Sequence, residues 1–203
     1  LGHSMHIFLL NLPRLEFAAL IPKGDYAPLC LLGREIDAPL VRSFLEAPEV
    51  KQCLPLDRAV AQDFCHCSPK LNIRGAANPY ADRLLFIGDC GVTRLFKDGI
   101  GAAYRTAKAA AVTAVFEGIA ADDFRRHFWP ACRYLANDNR IGRIVFAVTR
   151  QIQERQFLRR GVWRMVVAEQ KEEGGRRRMS MVLWDTFTGS APYRSVFLRS
   201  LHP

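Results

Sequence analysis

Asp82-Arg83-Leu84-Leu85-Phe86-Ile87-Gly88-Asp89-Cys90-Gly91, followed after a short loop by Asp98-Gly99-Ile100-Gly101-Ala102-Ala103, is the stretch on which the fold turns. Leu84 to Ile87 form an unbroken apolar run closed by Gly-Asp. That predicts a buried strand with a carboxylate at its C-terminal end, where ligands of α/β sheets gather. Ile100 to Glu117 is Ala-rich and free of Pro, so a helix is expected there. Gly99 precedes it and Gly118 follows, where a C-terminal Gly stop belongs. Glycines at a helix start let a ligand approach the backbone closely. The unpaired N–H groups there, with the positive end of the helix dipole, favour a negatively charged group. One carboxylate beside one helix N-terminus suits a ligand with a hydroxylated chain at one end and an electron-rich ring at the other.

Working outward, His3 to Leu10, Leu15 to Ile21 and Tyr26 to Leu32 read as strands, with Lys23-Gly24-Asp25 as turn chemistry. They predict an antiparallel meander. Asp37 to Leu45 suits a short helix with Asp37 as its cap and Pro39 in the first turn. A further helical turn is expected over Pro48 to Cys53, and two short strands over 61–76 around Ser68-Pro69. Downstream, Asp122 to Leu135 and Ile141 to Gln156 read as separate helices. Met179 to Leu201 reads as two short ones split near Gly189 to Pro192, after a polar loop at Glu172 to Arg178. Strands first and helices afterwards give an α+β class.

Gly99-Ile100-Gly101 is not the dinucleotide fingerprint, whose glycines directly follow a strand; position 104 is Tyr. Alone, it equally fits a strand-to-helix connection that uses Gly for packing. The whole arrangement, however, resembles the second flavin-binding motif of FAD-dependent oxidoreductases, in the group typified by para-hydroxybenzoate hydroxylase and geranylgeranyl reductase. The resemblance covers about residues 82–118 and extends loosely back to residue 3. It implies that Gly88 and Asp89 meet the ribityl chain of FAD, with Asp89 as hydrogen-bond partner. It implies that Gly99, Ile100, Gly101 and Ala102 face the pyrimidine side of the flavin ring. Cys90 stands where the family often has Ala, and Lys97 and Asp98 where it often has Pro.

The same resemblance implies an incomplete two-domain flavoprotein fold. Residues 1–57 would be part of a substrate-side β-sheet domain, 58–118 the C-terminal part of the FAD-binding domain, and 119–203 a helical C-terminal region. The family's Gly-rich ADP-binding βαβ unit has no match in residues 1–80, and the chain opens at Leu1. The expectation is therefore the C-terminal section of a longer enzyme, with an N-terminal ADP-binding segment as a missing partner. The implied activity is hydride or electron transfer through FAD, to or from an apolar small molecule. Isoprenoid or lipid reduction and aromatic hydroxylation are the two reactions expected, with NAD(P)H as the candidate reductant. No catalytic acid or base is assigned.

Composition sets the outer bounds. With 49% hydrophobic and 24% charged residues over 203 positions, disorder as the main state is excluded. No run approaches the roughly 18 apolar residues of a membrane span. Six cysteines in a chain of this size are expected as free thiols in a reducing compartment, which favours the cytoplasm. The net charge of +9 is concentrated: residues 140–180 hold eleven basic and four acidic side chains. Ile141, Ile144, Val145, Val148 and Ile152 recur at helical spacing, with Arg143, Arg150, Arg155, Arg159, Arg160 and Arg164 outside that stripe. One reading is a helix on an anionic membrane surface. The other is a core helix with a solvated basic face. Nucleic acid ranks last, for want of a recognisable module. The competing class for the whole chain is thus a non-enzymatic basic module that binds an anionic membrane or RNA.

Three smaller features complete the reading. Cys65-His66-Cys67 lacks the two-to-four-residue gaps of structural zinc sites and a second cluster, so no metal is assigned. Cys90 is either a small buried filler or a thiol near the flavin. Arg94 and Lys97 are either cations near the cofactor or solvated loop charges.

Overall fold

The computed structural model describes residues 4–54, 67–70, 73–172, 175 and 177–201. The chain is a mixed α/β protein with small antiparallel sheets and a helical majority. It divides into two compact units, one of residues 1–69 with 150–158, the other of 70–149 with 159–203. Cys65, His66 and much of the expected strand pair over 61–76 lie outside the described residues.

In the first unit, strands β1 (His6–Phe8), β2 (Leu15–Leu20) and β3 (Leu29–Gly33) form the expected antiparallel meander in the order β1-β2-β3. All of β2 is buried because it is the central strand. Helices α1 (Ala38–Glu46) and α2 (Pro48–Lys51) follow, and Phe8, Leu15, Ala18, Leu20, Phe44 and Val50 form the core. The Phe8 and Phe44 rings meet edge to face at 5.4 Å, a favoured aromatic geometry. Asp37 caps α1 by accepting from the Leu40 N–H at 3.0 Å. That bond, with the Arg14 guanidinium 2.8 Å away, holds the Asp37 carboxyl below its usual range. Glu16, buried in β2, is matched by charge and hydrogen bonding. Its carboxylate receives Arg150, and its carbonyl accepts from Gln153 Nε2 at 2.7 Å.

In the second unit, β4 (Tyr80–Ala81) and β5 (Leu84–Leu85) make a two-residue-wide antiparallel hairpin. The buried strand expected over Arg83 to Ile87 is therefore much shorter than its apolar run, and Leu84, Phe86 and Ile87 are exposed. A continuous apolar run stays buried only when neighbours cover both faces. Here β4 is its sole strand neighbour among the described residues, and only Leu85 reaches the core. A 3₁₀ turn (Gly88–Cys90) leads through a loop to α3 (Gly99–Val112). The helix continues as a π-helical turn (Thr113–Glu117) and stops at Gly118, whose φ of 131° suits glycine.

After α4 (Ala121–Asp123) and a π-helical turn (Phe124–Phe128), α5 runs unbroken from Trp129 to Glu154. The sequence expectation of two helices parted near residues 136–140 is corrected here. Asn137-Asp138-Asn139 reads as a linker, yet Asp138 and Asn139 are buried. Asn139 accepts from the Leu95 N–H at 2.9 Å and donates to the Thr93 carbonyl at 2.7 Å. The polar pair is a bonding hub inside a helix, so it does not end the helix.

The face that α5 buries also differs from expectation. Cys132, Leu135, Asn139, Gly142 and Phe146 point inward at three- and four-residue spacing. Ile144 and Val148 are 52% and 54% exposed. The inward face is selected by its partners, not by aliphatic content. A Cβ on Gly142 would come within 2.6 Å of the Tyr193 ring, and Phe146 packs edge-on to Phe96 at 4.8 Å. Helix α6 (Gln156–Lys171) was not expected as a separate element, and it buries no residue. Helices α7 (Arg178–Thr188) and α8 (Tyr193–Ser200) match the expected split tail. No helix among the described residues is long and apolar enough to cross a membrane.

Candidate functional site

The site is built where the Gly88–Cys90 turn meets the start of α3. Gly88 adopts φ 58°, and its N–H donates to Thr106 Oγ1 at 3.1 Å. A Cβ there would lie 3.2 Å from the Ala103 Cβ, so glycine lets the turn press against the helix. Thr106 itself is buried and bonds back to the Ala102 carbonyl at 3.0 Å. This contact holds the turn, with Asp89 at its middle, against α3. The Asp89 Oδ1 lies 3.9 Å from the position a Gly99 Cβ would take. The structure thus brings Gly88, Asp89 and Gly99 together, although a loop separates them in sequence.

The first turn of α3 sorts the remaining assigned residues. Asp98, in the left-handed region at φ 58°, is the N-cap and accepts from the Gly101 N–H at 3.1 Å. The Ala102 N–H bonds to the Asp98 carbonyl at 2.9 Å, and the Ala102 side chain is fully buried in the core. Gly101 and Ala102 therefore spend their N–H groups inside the chain. Gly99 and Ile100 lie ahead of Ala102, the first residue whose N–H finds an intrahelical carbonyl, so their N–H groups point out of the helix end. Ile100 is 90% exposed. A methyl at Gly99 would make only ordinary contacts, at 3.8 Å to Thr93 Oγ1 and 3.9 Å to Asp89 Oδ1. The fold itself does not demand glycine there, whereas at Gly101 a Cβ would strike the capping Asp98 carboxylate.

Arg94 is neither a solvated loop charge nor a cation turned toward the exposed helix start. It is buried and donates to the carbonyls of Gly189 at 2.8 Å and Ala191 at 2.9 Å. Its guanidinium sits 3.3 Å from Asp98, 3.5 Å from Asp138, and 4.6 Å from the centre of the Tyr193 ring. Arg105 meets the same Asp98 oxygen, Oδ2, at 2.6 Å. Sequence reasoning missed this clamp, which holds the loop before α3 against the turn between α7 and α8. Tyr193 completes it by donating its hydroxyl to the Leu95 carbonyl. Burial pushes that phenol well up, only partly offset by Arg94. The sequence reading did not assign Asp98 as the cap of α3, and nothing local marked Asp138 or Tyr193 as its supports.

Two cysteines can now be placed. Cys90 is exposed at the end of the turn, not a buried filler. Cys132 is buried in the core, which pushes its thiol up to about 11. Among the described residues no three His, Cys, Asp or Glu side chains converge as a metal site would require. Comparisons with protein families, curated proteins and solved structures found no match for this chain.

Proposed function

We propose that this chain is the C-terminal section of an FAD-dependent oxidoreductase. The observation that carries the reading is the meeting of Asp89 with the open start of α3. A carboxylate and two outward N–H groups lie side by side, at a glycine the fold does not itself require. Asp89 would accept hydrogen bonds from the hydroxyls of the ribityl chain. The Gly99 and Ile100 N–H groups would donate to electron-rich atoms of the ring, where preorganised dipoles favour added negative charge. The clamp around Arg94 supports these groups by fixing the loop and the Asp98 cap. Bound FAD would supply hydride or electron transfer to an apolar substrate, an isoprenoid or lipid double bond or an aromatic ring, with NAD(P)H as reductant.

The exposed apolar surface supports the second half of the proposal. Leu84, Phe86 and Ile87 lie bare on and beyond the short β5, and Ile100, Tyr104, Val115 and Phe116 are exposed along α3 and its continuation. Large apolar side chains left this exposed are candidates for a contact. A Gly-rich βαβ segment would add a parallel strand beside β5 and bind the ADP half of FAD.

The test is an NMR titration of the chain with FMN, which carries the ring and ribityl chain without the ADP half. Weak binding is expected, with amide shifts confined to Asp89, Gly99, Ile100 and Gly101. Absence of shifts at those positions at millimolar FMN overturns the site.

A further inference from the structure

We propose that the outer face of α6 is a docking surface for an anionic lipid bilayer. The inference goes beyond the flavin reading and does not depend on it. Arg160, Trp163, Arg164, Val167, Ala168 and Lys171 recur at three- and four-residue spacing, so they share one face of the helix. Trp163 is 67% exposed, and α6 buries none of its residues. A Trp held in water on a helix flanked by cations is the pattern of an interfacial helix.

Charge selects the partner. Glu169 is the sole carboxylate in α6, and it does not lie on this face. It is turned to the start of α7, where it accepts from the Met179 N–H at 2.6 Å, the Ser180 N–H at 2.9 Å and the Ser180 hydroxyl at 2.8 Å. Within α6 the outer face carries cations only; the exposed Glu172, just past Lys171, borders it with its carboxylate beside Gly175. Arg160, Arg164 and Lys171 have long apolar stems that let their charged heads reach lipid phosphates while the stems lie along the acyl boundary. Trp163 and Val167 would sit at that boundary, which is where an indole with one wet edge is most stable. A polyanion such as RNA would use the same cations and stack a base on Trp163, but would leave Val167 with no apolar partner.

Vesicle sedimentation of the full chain tests this, comparing phosphatidylcholine alone with phosphatidylcholine containing 30% phosphatidylglycerol. Binding is expected only with the anionic lipid, and it should weaken as salt is raised. Each cation near a bilayer contributes about fivefold in affinity, so R160E/R164E is expected to lose at least about 25-fold. W163A should lose binding at unchanged net charge. R42E/K51E, the same charge change on exposed residues of α1 and α2, should bind nearly as the natural chain does. Circular dichroism of each variant separates loss of docking from loss of folding; for a variant that unfolds, quenching of Trp fluorescence in the natural chain by brominated phosphatidylglycerol supplies the readout. Equal binding to both vesicles, no binding to either, or an unchanged W163A overturns the proposal. So does single-stranded RNA that binds more tightly than the anionic vesicles and competes them off.

Discussion

Asp138, in the middle of the longest helix, accepts hydrogen bonds from the backbone N–H of Tyr193 at 3.0 Å with one carboxylate oxygen and of Arg194 at 3.0 Å with the other. It thereby satisfies the orphan donors at the start of α8 while facing the buried Arg94. Asp138→Ala would strand two backbone donors and one buried guanidinium. Removing one partner of such a pair costs about 3–5 kcal/mol. Urea unfolding should show that loss, while Asp82→Ala, at an exposed position, should fall within about 0.5 kcal/mol of the natural chain.

Gly88 tests how the turn is held against α3. Alanine there adopts a left-handed backbone at about 1–2 kcal/mol, and its methyl presses on Ala103. Gly88→Ala is expected to lower stability by at least that amount and to shift the Asp89 amide resonance. A stability and spectrum equal to those of the natural chain would count against the observed turn.

How much was legible in the sequence divides along physical lines. The meander, the capped α1, the Ala-rich α3 with its Gly118 stop and the split tail were readable because each carries its own local signal. Turn residues, a cap or a continuous helix former suffice. The apolar run at Leu84 to Ile87 misled because burial depends on what lies beside a strand. Asp138 and Asn139 misled for the converse reason: a polar pair inside a helix reads as a break unless its distant partners, Leu95 and Tyr193, are known. The same holds for the inward face of α5, where Gly142 is set by an aromatic ring supplied from α8. At the candidate site, the residue types were legible from the motif. Which N–H groups of Gly99, Ile100, Gly101 and Ala102 remain outward was not, because it turns on the Asp98 carboxylate.

Thiol chemistry separates the two cysteine environments. Burial raises the Cys132 thiol to about 11, so little thiolate forms at pH 8, and the core shields it further. Brief alkylation at pH 8 followed by mass-spectrometric peptide mapping should label Cys30, Cys67 and Cys90, which are exposed, and spare Cys132 until denaturant is added. Equal labelling of Cys132 in the native chain would contradict the packing.

Glu169 gives the link between α6 and α7 a pH dependence. Partial burial alone would raise its carboxyl, but the Ser180 and Met179 donors, with Arg177 nearby, outweigh this and hold it below the ordinary value of 4.5. A depressed folded value means the stabilisation is complete above about pH 4.5 and is lost as pH falls through the folded value. Hydrogen exchange at Met179 and Ser180, corrected for intrinsic rates, should be slow at neutral pH and accelerate in acid. Glu169→Gln should exchange faster at neutral pH with little further change. Protection that persists unchanged into acid would contradict the assignment.

In the flavin proposal, Asp89 and the start of α3 would hold the ring and ribityl end of FAD. The proposal's most direct measurement is the dissociation constant for FMN of the natural chain and of Asp89→Ala, read from amide shifts or flavin fluorescence. Losing a hydrogen bond to a charged group costs about 1.5–3 kcal/mol, so the variant is expected to bind about 10- to 150-fold more weakly. An equal dissociation constant for the two chains would contradict the account.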